Sequence, residues 1–137
     1  MTDNQHIFWF RVAYSDTDQM GVMHHSNYLR YFEMARYELL REIGISYSEI
    51  ENDGVIMPVI QANVNYKKPA FYDQRIRIET RIALNKGPRI VFAADMFDEA
   101  GETICKSEIA LAYVNKVNRK ACFPPSIIKS KLLTLKN

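Results

Sequence analysis

The chain has 137 residues, 47% of them apolar and 25% charged, with a formal net charge of +2. That balance fits one globular domain over residues 1–137 and excludes a disordered or low-complexity chain. The charge is unevenly spread: Lys116, Arg119, Lys120, Lys129, Lys131 and Lys136 follow Asn115 with no acidic residue among them, a tail suited to nucleic acid, an anionic membrane, a phosphorylated ligand or plain solvent.

In chain order, Ile7 to Tyr14 is rich in aromatic and β-branched residues and reads as a first strand. SDTDQMG follows as a loop, with Gly21 as its flexible point. From Ser26 the period becomes helical. Tyr28, Tyr31, Phe32, Ala35, Leu39 and Ile43 share one face, and Gly44 is a natural C-terminal stop. A helix of that span is about 27 Å long. Ser46-Tyr47-Ser48-Glu49 then reads as a capping box that opens a short second helix.

Beyond it the period is two. Ile60, Ala62, Val64 and Tyr66 alternate with Gln61, Asn63 and Asn65 until Pro69. Ile76 to Leu84 and Ile90 to Met96 alternate likewise, joined by the turn Asn85-Lys86-Gly87-Pro88. After a turn at Asp98 to Gly101, Thr103 to Val117 reads as one long last strand. Short turns favour antiparallel hairpins, and clean alternation fits a sheet with one covered face. The long helix is available to cover it. The expected architecture is α+β, one long helix packed on a curved five-stranded antiparallel sheet.

Several classes lack support. There is no P-loop, dinucleotide fingerprint, G-x-S-x-G elbow or HExxH. No nucleic-acid motif accompanies the basic tail. No run approaches the ~18 apolar residues of a membrane span. MTDNQHIFWF lacks the charged-then-apolar pattern of a signal peptide. Cys105 and Cys122 have no metal-ligand spacing. A cytoplasmic protein with free thiols is expected.

The chemistry gathers in YSDTDQMGVMHHSNYLRYFEMAR, Tyr14 to Arg36. Asp16, Asp18, His24 and His25 fall where the loop enters the helix. A helix N-terminus presents unpaired N–H groups and partial positive charge, so it can polarise a carbonyl whose oxygen turns negative in a transition state. A carboxylate beside it could attack that carbonyl or activate water. An imidazole there could orient the substrate or move a proton. The same helix end lowers a carboxylate's basicity, which leaves nucleophile and general base both open. Asp16 reads as structural, His24 as structural or pocket-lining and His6 as an inert strand residue. A metal site built from the two aspartates and two histidines is a competing reading, but adjacent histidines usually point apart and the ligand geometry is not evident.

This segment resembles the signature of the 4-hydroxybenzoyl-CoA thioesterase family of hot-dog-fold acyl-CoA thioesterases. The resemblance rests on Asp16-Thr17-Asp18, Gly21-Val22, His25, Ser26-Asn27-Tyr28 and Glu33-Met34-Ala35-Arg36. A second match is Val64-Asn65-Tyr66-Lys67-Lys68-Pro69-Ala70 followed by Tyr72-Asp73. It implies a long helix wrapped by a five-stranded antiparallel sheet. Asp18 would be the catalytic carboxylate, and the His25 backbone N–H would polarise the thioester carbonyl while its side chain orients substrate or water. Tyr28 would border the pocket, and Asn63, on the second strand, would approach the substrate. Lys86 and Arg89 would contact the nucleotide, with the basic residues after Asn115 as another possibility.

The resemblance further implies an acyl-CoA or acyl carrier protein thioester as substrate, no metal or cofactor, and an active site at a homodimer interface, with dimers commonly paired into tetramers. His24 stands where many relatives carry Tyr, and Met23 where many carry Val, so the acyl preference stays open. The competing readings are a non-catalytic acyl-thioester or carrier-protein binder of the same fold and a hydratase or dehydratase.

Overall fold

The computed structural model describes residues 5–132, so Lys136 of the basic tail lies outside the described residues. In chain order the elements are β1 (Gln5–Arg11), α1 (Ser26–Glu42), α2 (Tyr47–Asn52), β2 (Val55–Ile56), β3 (Val59–Tyr66), β4 (Arg75–Lys86), β5 (Arg89–Phe97), β6 (Thr103–Ala112), β7 (Val114–Asn115) and α3 (Ser126–Leu132). Five strands form one antiparallel sheet in the order β1-β4-β5-β6-β3, and β2 pairs separately with β7.

The expected helical stripe is the face α1 buries: Tyr28, Tyr31, Phe32, Ala35 and Leu39, joined by Arg36 and Leu40. Gly44 takes φ 87°, a left-handed stop that a β-carbon would disfavour. The Ser46 capping box forms reciprocally. Ser46 N–H donates to Glu49 Oε1 at 3.1 Å and Glu49 N–H to Ser46 Oγ at 3.2 Å.

On the face of the sheet under α1, one cross-strand row reads His6, Thr80, Ala94, Ser107. Its last three members are buried and small. Larger side chains pack on either side of this row. Tyr28, Phe32, Ile78 and Met96 belong to one core cluster, and Leu39, Phe92, Ile109 and Tyr113 to the other. Alternation of small and large residues lets a helix settle closely on a twisted sheet. No helix among the described residues is long and apolar enough to cross a membrane.

The chain departs from the sequence-based expectation at three places. The first strand stops at Arg11, because Val12 N–H turns to Gln74 O at 2.9 Å and a 3-10 turn follows over Tyr14–Asp16. The long last strand breaks at Tyr113. That residue is fully buried, donates its N–H to Pro88 O at 2.8 Å and its hydroxyl to Asn85 Oδ1 at 2.9 Å, and releases β7 toward β2. Finally, α3 packs Ile128 and Leu132 onto the second cluster.

Candidate active site

Residues 16–24 fold into a small hairpin at the end of the sheet. Asp16 O accepts His24 N–H at 2.8 Å, and Val22 O accepts Asp18 N–H at 2.9 Å. Thr17 and Met23 bridge between these pairs. At the tip Gly21 takes φ 80° and donates its N–H to Asp18 O at 3.1 Å. The second arm is pinned to the sheet: Met23 N–H meets Ala70 O at 2.7 Å, and Val22 bridges Phe71. Asp18 therefore sits on one arm, while the other delivers His24 and His25 to the start of α1.

Asp18 is half-buried. Its Oδ1 accepts Met20 N–H at 2.8 Å, an Asx turn. Among the described residues Oδ2 has no partner, so one carboxylate oxygen is available for chemistry. His25 is exposed, with helical φ −56° and ψ −29°. Among the described residues its N–H meets no acceptor. This donor lies at the positive end of the α1 dipole.

Two side chains hold that helix end. His24 Nδ1 accepts Ser26 N–H at 3.2 Å and lies 2.8 Å from Ser26 Oγ, which leaves the ring proton on Nε2. The two histidine rings do not diverge as expected from the sequence. Their centroids are 4.2 Å apart with a 30° tilt, because the bond to Ser26 turns the His24 ring toward the helix. From β3, Tyr66 donates its hydroxyl to His25 O at 3.3 Å and meets Tyr28 edge-on at 5.0 Å. Burial raises the pKa of both phenols, with the backbone at Ala70 partly opposing this at Tyr28 and Cys105 adding to it at Tyr66. Tyr66 is thus a neutral donor at physiological pH. Its role was hidden in the sequence, where it is one more apolar position in an alternating strand.

Of the remaining expected site residues, Tyr28 lies at this helix end and the others do not. Tyr28 is buried in the core beneath the helix start. Asn63 accepts from Asn65 Nδ2 at 3.2 Å and lines an open polar groove of about 320 Å³ with Asn65, Arg81, Asp95 and Lys106. In register it falls in the row Arg81, Ala93, Glu108, Asn63, on the sheet face away from α1. Lys86 and Arg89 close the turn Gly87-Pro88, and Arg89 donates to Gln61 Oε1 at 3.3 Å. They stand at the opposite end of β4 from the hairpin, roughly 35 Å along the strand. Within one chain His25, Tyr28 and Tyr66 meet, Asp18 stands on the hairpin that leads into the same helix, and Asn63, Lys86 and Arg89 lie elsewhere. Among the described residues no three His, Cys, Asp or Glu side chains gather in a way that could hold a metal ion. Both cysteines are free, and burial pushes the Cys105 thiol up to about 12.

A carboxylate oxygen and an unpaired helix-start N–H, held on two arms of one hairpin, are the parts that acyl transfer requires. The chain resembles several known proteins over most of its length. YneP of Bacillus subtilis (strain 168), provisionally named an acyl-CoA thioesterase, is 36% identical over 109 residues, 80% of this chain and 79% of its own. The acyl-CoA thioester hydrolase YbgC of Escherichia coli O157:H7 is 30% identical over 119 residues, 86% of this chain and 89% of its own. A DHNA-CoA thioesterase structure from Staphylococcus aureus superposes with a TM-score of 0.83 at 33% identity, covering 87% of this chain and 80% of that one. The model of the thioesterase-like superfamily matches residues 12–132. With a hot-dog sheet and helix and that match over most of its length, the chain belongs to the thioesterase-like superfamily.

Proposed function

We propose that the chain hydrolyses acyl-CoA thioesters to a free acid and a thiol, with Asp18 as the reacting carboxylate. The observation that carries this reading is that Asp18 Oδ2, on the hairpin, and the His25 N–H, at the helix start the hairpin leads into, both lack a partner among the described residues. In the general-base form Asp18 takes a proton from water while the oxygen adds to the thioester carbon. The carbonyl oxygen becomes an oxyanion, received by the His25 N–H at the helix N-terminus. As the tetrahedral centre collapses, the carbon–sulfur bond breaks and the leaving thiolate takes up the proton. In the nucleophilic form Asp18 adds to the carbon directly, and the carbon–sulfur bond breaks to release the thiolate, which takes up a proton from solvent. Water then cleaves the resulting anhydride to the free acid and the Asp18 carboxylate. Neither form requires a metal or cofactor. The His25 ring orients substrate or water, and Tyr28 shapes the pocket floor.

The full site is built at a homodimer interface. β3 is an edge strand, paired among the described residues with β6 alone; it exposes Val59 and Ile60 at its start and Tyr66 at its end, where the Tyr66 hydroxyl meets His25 O. An exposed edge with apolar side chains is a template for a second strand. Lys86 and Arg89, too distant within one chain, would reach the CoA phosphates from the partner subunit, and Asn63 would approach the substrate at the same interface. Pairing of dimers into a tetramer, a cytoplasmic location and activity on acyl carrier protein thioesters belong to the same reading. The relatives' names favour turnover over a merely binding role.

Thiol release from short, long and aromatic acyl-CoAs and from an acylated carrier protein tests the proposal. Turnover of at least one of them supports it. Tight binding with no turnover on the whole panel assigns the chain to the non-catalytic alternative.

A further inference from the structure

The Asp16 side chain is 4% exposed, and it is not spent on chemistry. Its Oδ2 accepts the Tyr31 hydroxyl at 2.5 Å and Ala13 N–H at 3.0 Å. Its Oδ1 accepts Arg30 Nη2 at 2.5 Å. Its carbonyl accepts both His24 N–H at 2.8 Å and Asn27 Nδ2 at 2.9 Å. A buried carboxylate is tolerated only when its oxygens are met in this way. Every side-chain partner comes from the first turns of α1, the helix whose N-terminus holds His25. The Arg30 guanidinium also lies over the Tyr31 ring, 4.5 Å from its centroid.

We infer that Asp16 is a positioning residue that, through Tyr31 and Arg30, fixes the distance between the Asp18 carboxylate and the His25 N–H. The inference rests on the proposed hydrolysis at that site, but its geometry can be tested without turnover. Asp16 is two residues from Asp18 on the first arm, and its carbonyl grips the second arm just before His25. Its side chain ties both to the helix. Loosening it lets the arms drift relative to the helix end, and a shift of about 1 Å can cost a reaction on the order of 10²-fold. An interaction that aligns reacting groups lowers kcat when lost and leaves ground-state binding largely intact.

Tyr31→Phe is the decisive variant. It removes one hydroxyl and keeps the ring that stacks on Phe10 at 3.8 Å, so the fold should survive. Tyr37→Phe, which deletes an exposed hydroxyl 3.3 Å from Glu33 on the same helix, is the control. Asp16→Asn is a second, stronger perturbation. Two readouts are needed: kcat and KM on the best acyl-CoA, and hydrogen exchange of the His24 amide. Tyr31→Phe is expected to lower kcat by about tenfold with KM within about twofold, and to speed His24 amide exchange several-fold, while Tyr37→Phe changes neither. Unchanged His24 exchange in both Tyr31→Phe and Asp16→Asn would overturn the inference, as would a kcat loss matched by Tyr37→Phe. If the wild type hydrolyses nothing, the functional reading fails on its own, and the exchange rates still decide whether Asp16 holds the hairpin.

Discussion

Replacing Gly21 by Ala separates the cost of bending the candidate hairpin from the cost of filling space. Gly21 has φ 80°, and a β-carbon built there meets nothing within 4 Å. The penalty is therefore one of backbone conformation, about 1–2 kcal/mol for an L-residue held in the left-handed region. Restriction of the unfolded chain offsets about 0.4–1 kcal/mol of it. A net loss of about 1 kcal/mol remains, or about 4 °C in midpoint temperature for a domain of this size. The chain has one way to evade this cost. The tip can relax to a negative φ, which gives up the Gly21 N–H to Asp18 O bond and moves Asp18. The loss then appears in kcat instead of stability.

Thermal unfolding at fixed protein concentration, together with kcat on the best thioester, captures both routes. Gly21→Asn should cost less than Gly21→Ala, because Asn tolerates the left-handed region. A Gly21→Ala protein equal to wild type in both measurements would refute the reasoning. A loss beyond about 3 kcal/mol would refute it too, because it implies a steric clash in space that is open.

Acid sensitivity, assembly and ligand charge supply the other expectations. Lys68 Nζ lies 2.9 Å from Asp98 Oδ2, and Asp98 Oδ1 accepts Glu102 N–H at 2.9 Å. Lys68 first and then that N–H hold the Asp98 carboxyl below its ordinary 3.8. A depressed folded pKa stabilises the protein above about pH 3.8, and that stability is lost as pH falls through the lower folded value. The midpoint gap between wild type and Lys68→Met should thus be present at pH 7 and shrink below pH 3.8; a gap constant with pH contradicts this. Ile60→Asp, on the exposed β3 edge, should halve the mass seen by light scattering and abolish turnover, whereas an active monomer would show that the interface is dispensable. Arg89→Ala should raise KM for acyl-CoA by several-fold at nearly constant kcat, and equal KM values would free Arg89 from a phosphate role.

Where local rules decide the outcome, the sequence was readable. The α1 stripe, its Gly44 stop, the Ser46–Glu49 box and the Gly87-Pro88 turn each follow from spacing or backbone preference within a few residues. Tyr113 was not readable, because its place in a strand-like run is overridden by hydrogen bonds to Pro88 and Asn85, distant in sequence. The same holds for α3, whose short apolar face gains meaning only against the second core cluster. Within the site, Asp18 and His25 stood out through the motif that contains them. Tyr66 reaches His25 across 41 positions, and Asp16 meets Tyr31 across 15. Neither link leaves a periodic trace. Lys86 and Arg89 lie at the other end of β4 from the hairpin, so a role for them at this site depends on a second subunit, which one chain's sequence does not display.

The most direct measurement is steady-state hydrolysis by Asp18→Asn on the thioester the wild type cleaves best. Asparagine keeps an Oδ1 that can accept the Met20 N–H, so the hairpin should hold. Unfolding midpoint and oligomeric mass should match wild type, and His24 amide exchange should be unchanged. With Asp18 as the reacting carboxylate, kcat falls by at least about 10²-fold, the usual scale for losing a positioned base or more, with little change in KM. A variant that keeps the wild-type kcat would show that the reacting carboxylate lies elsewhere.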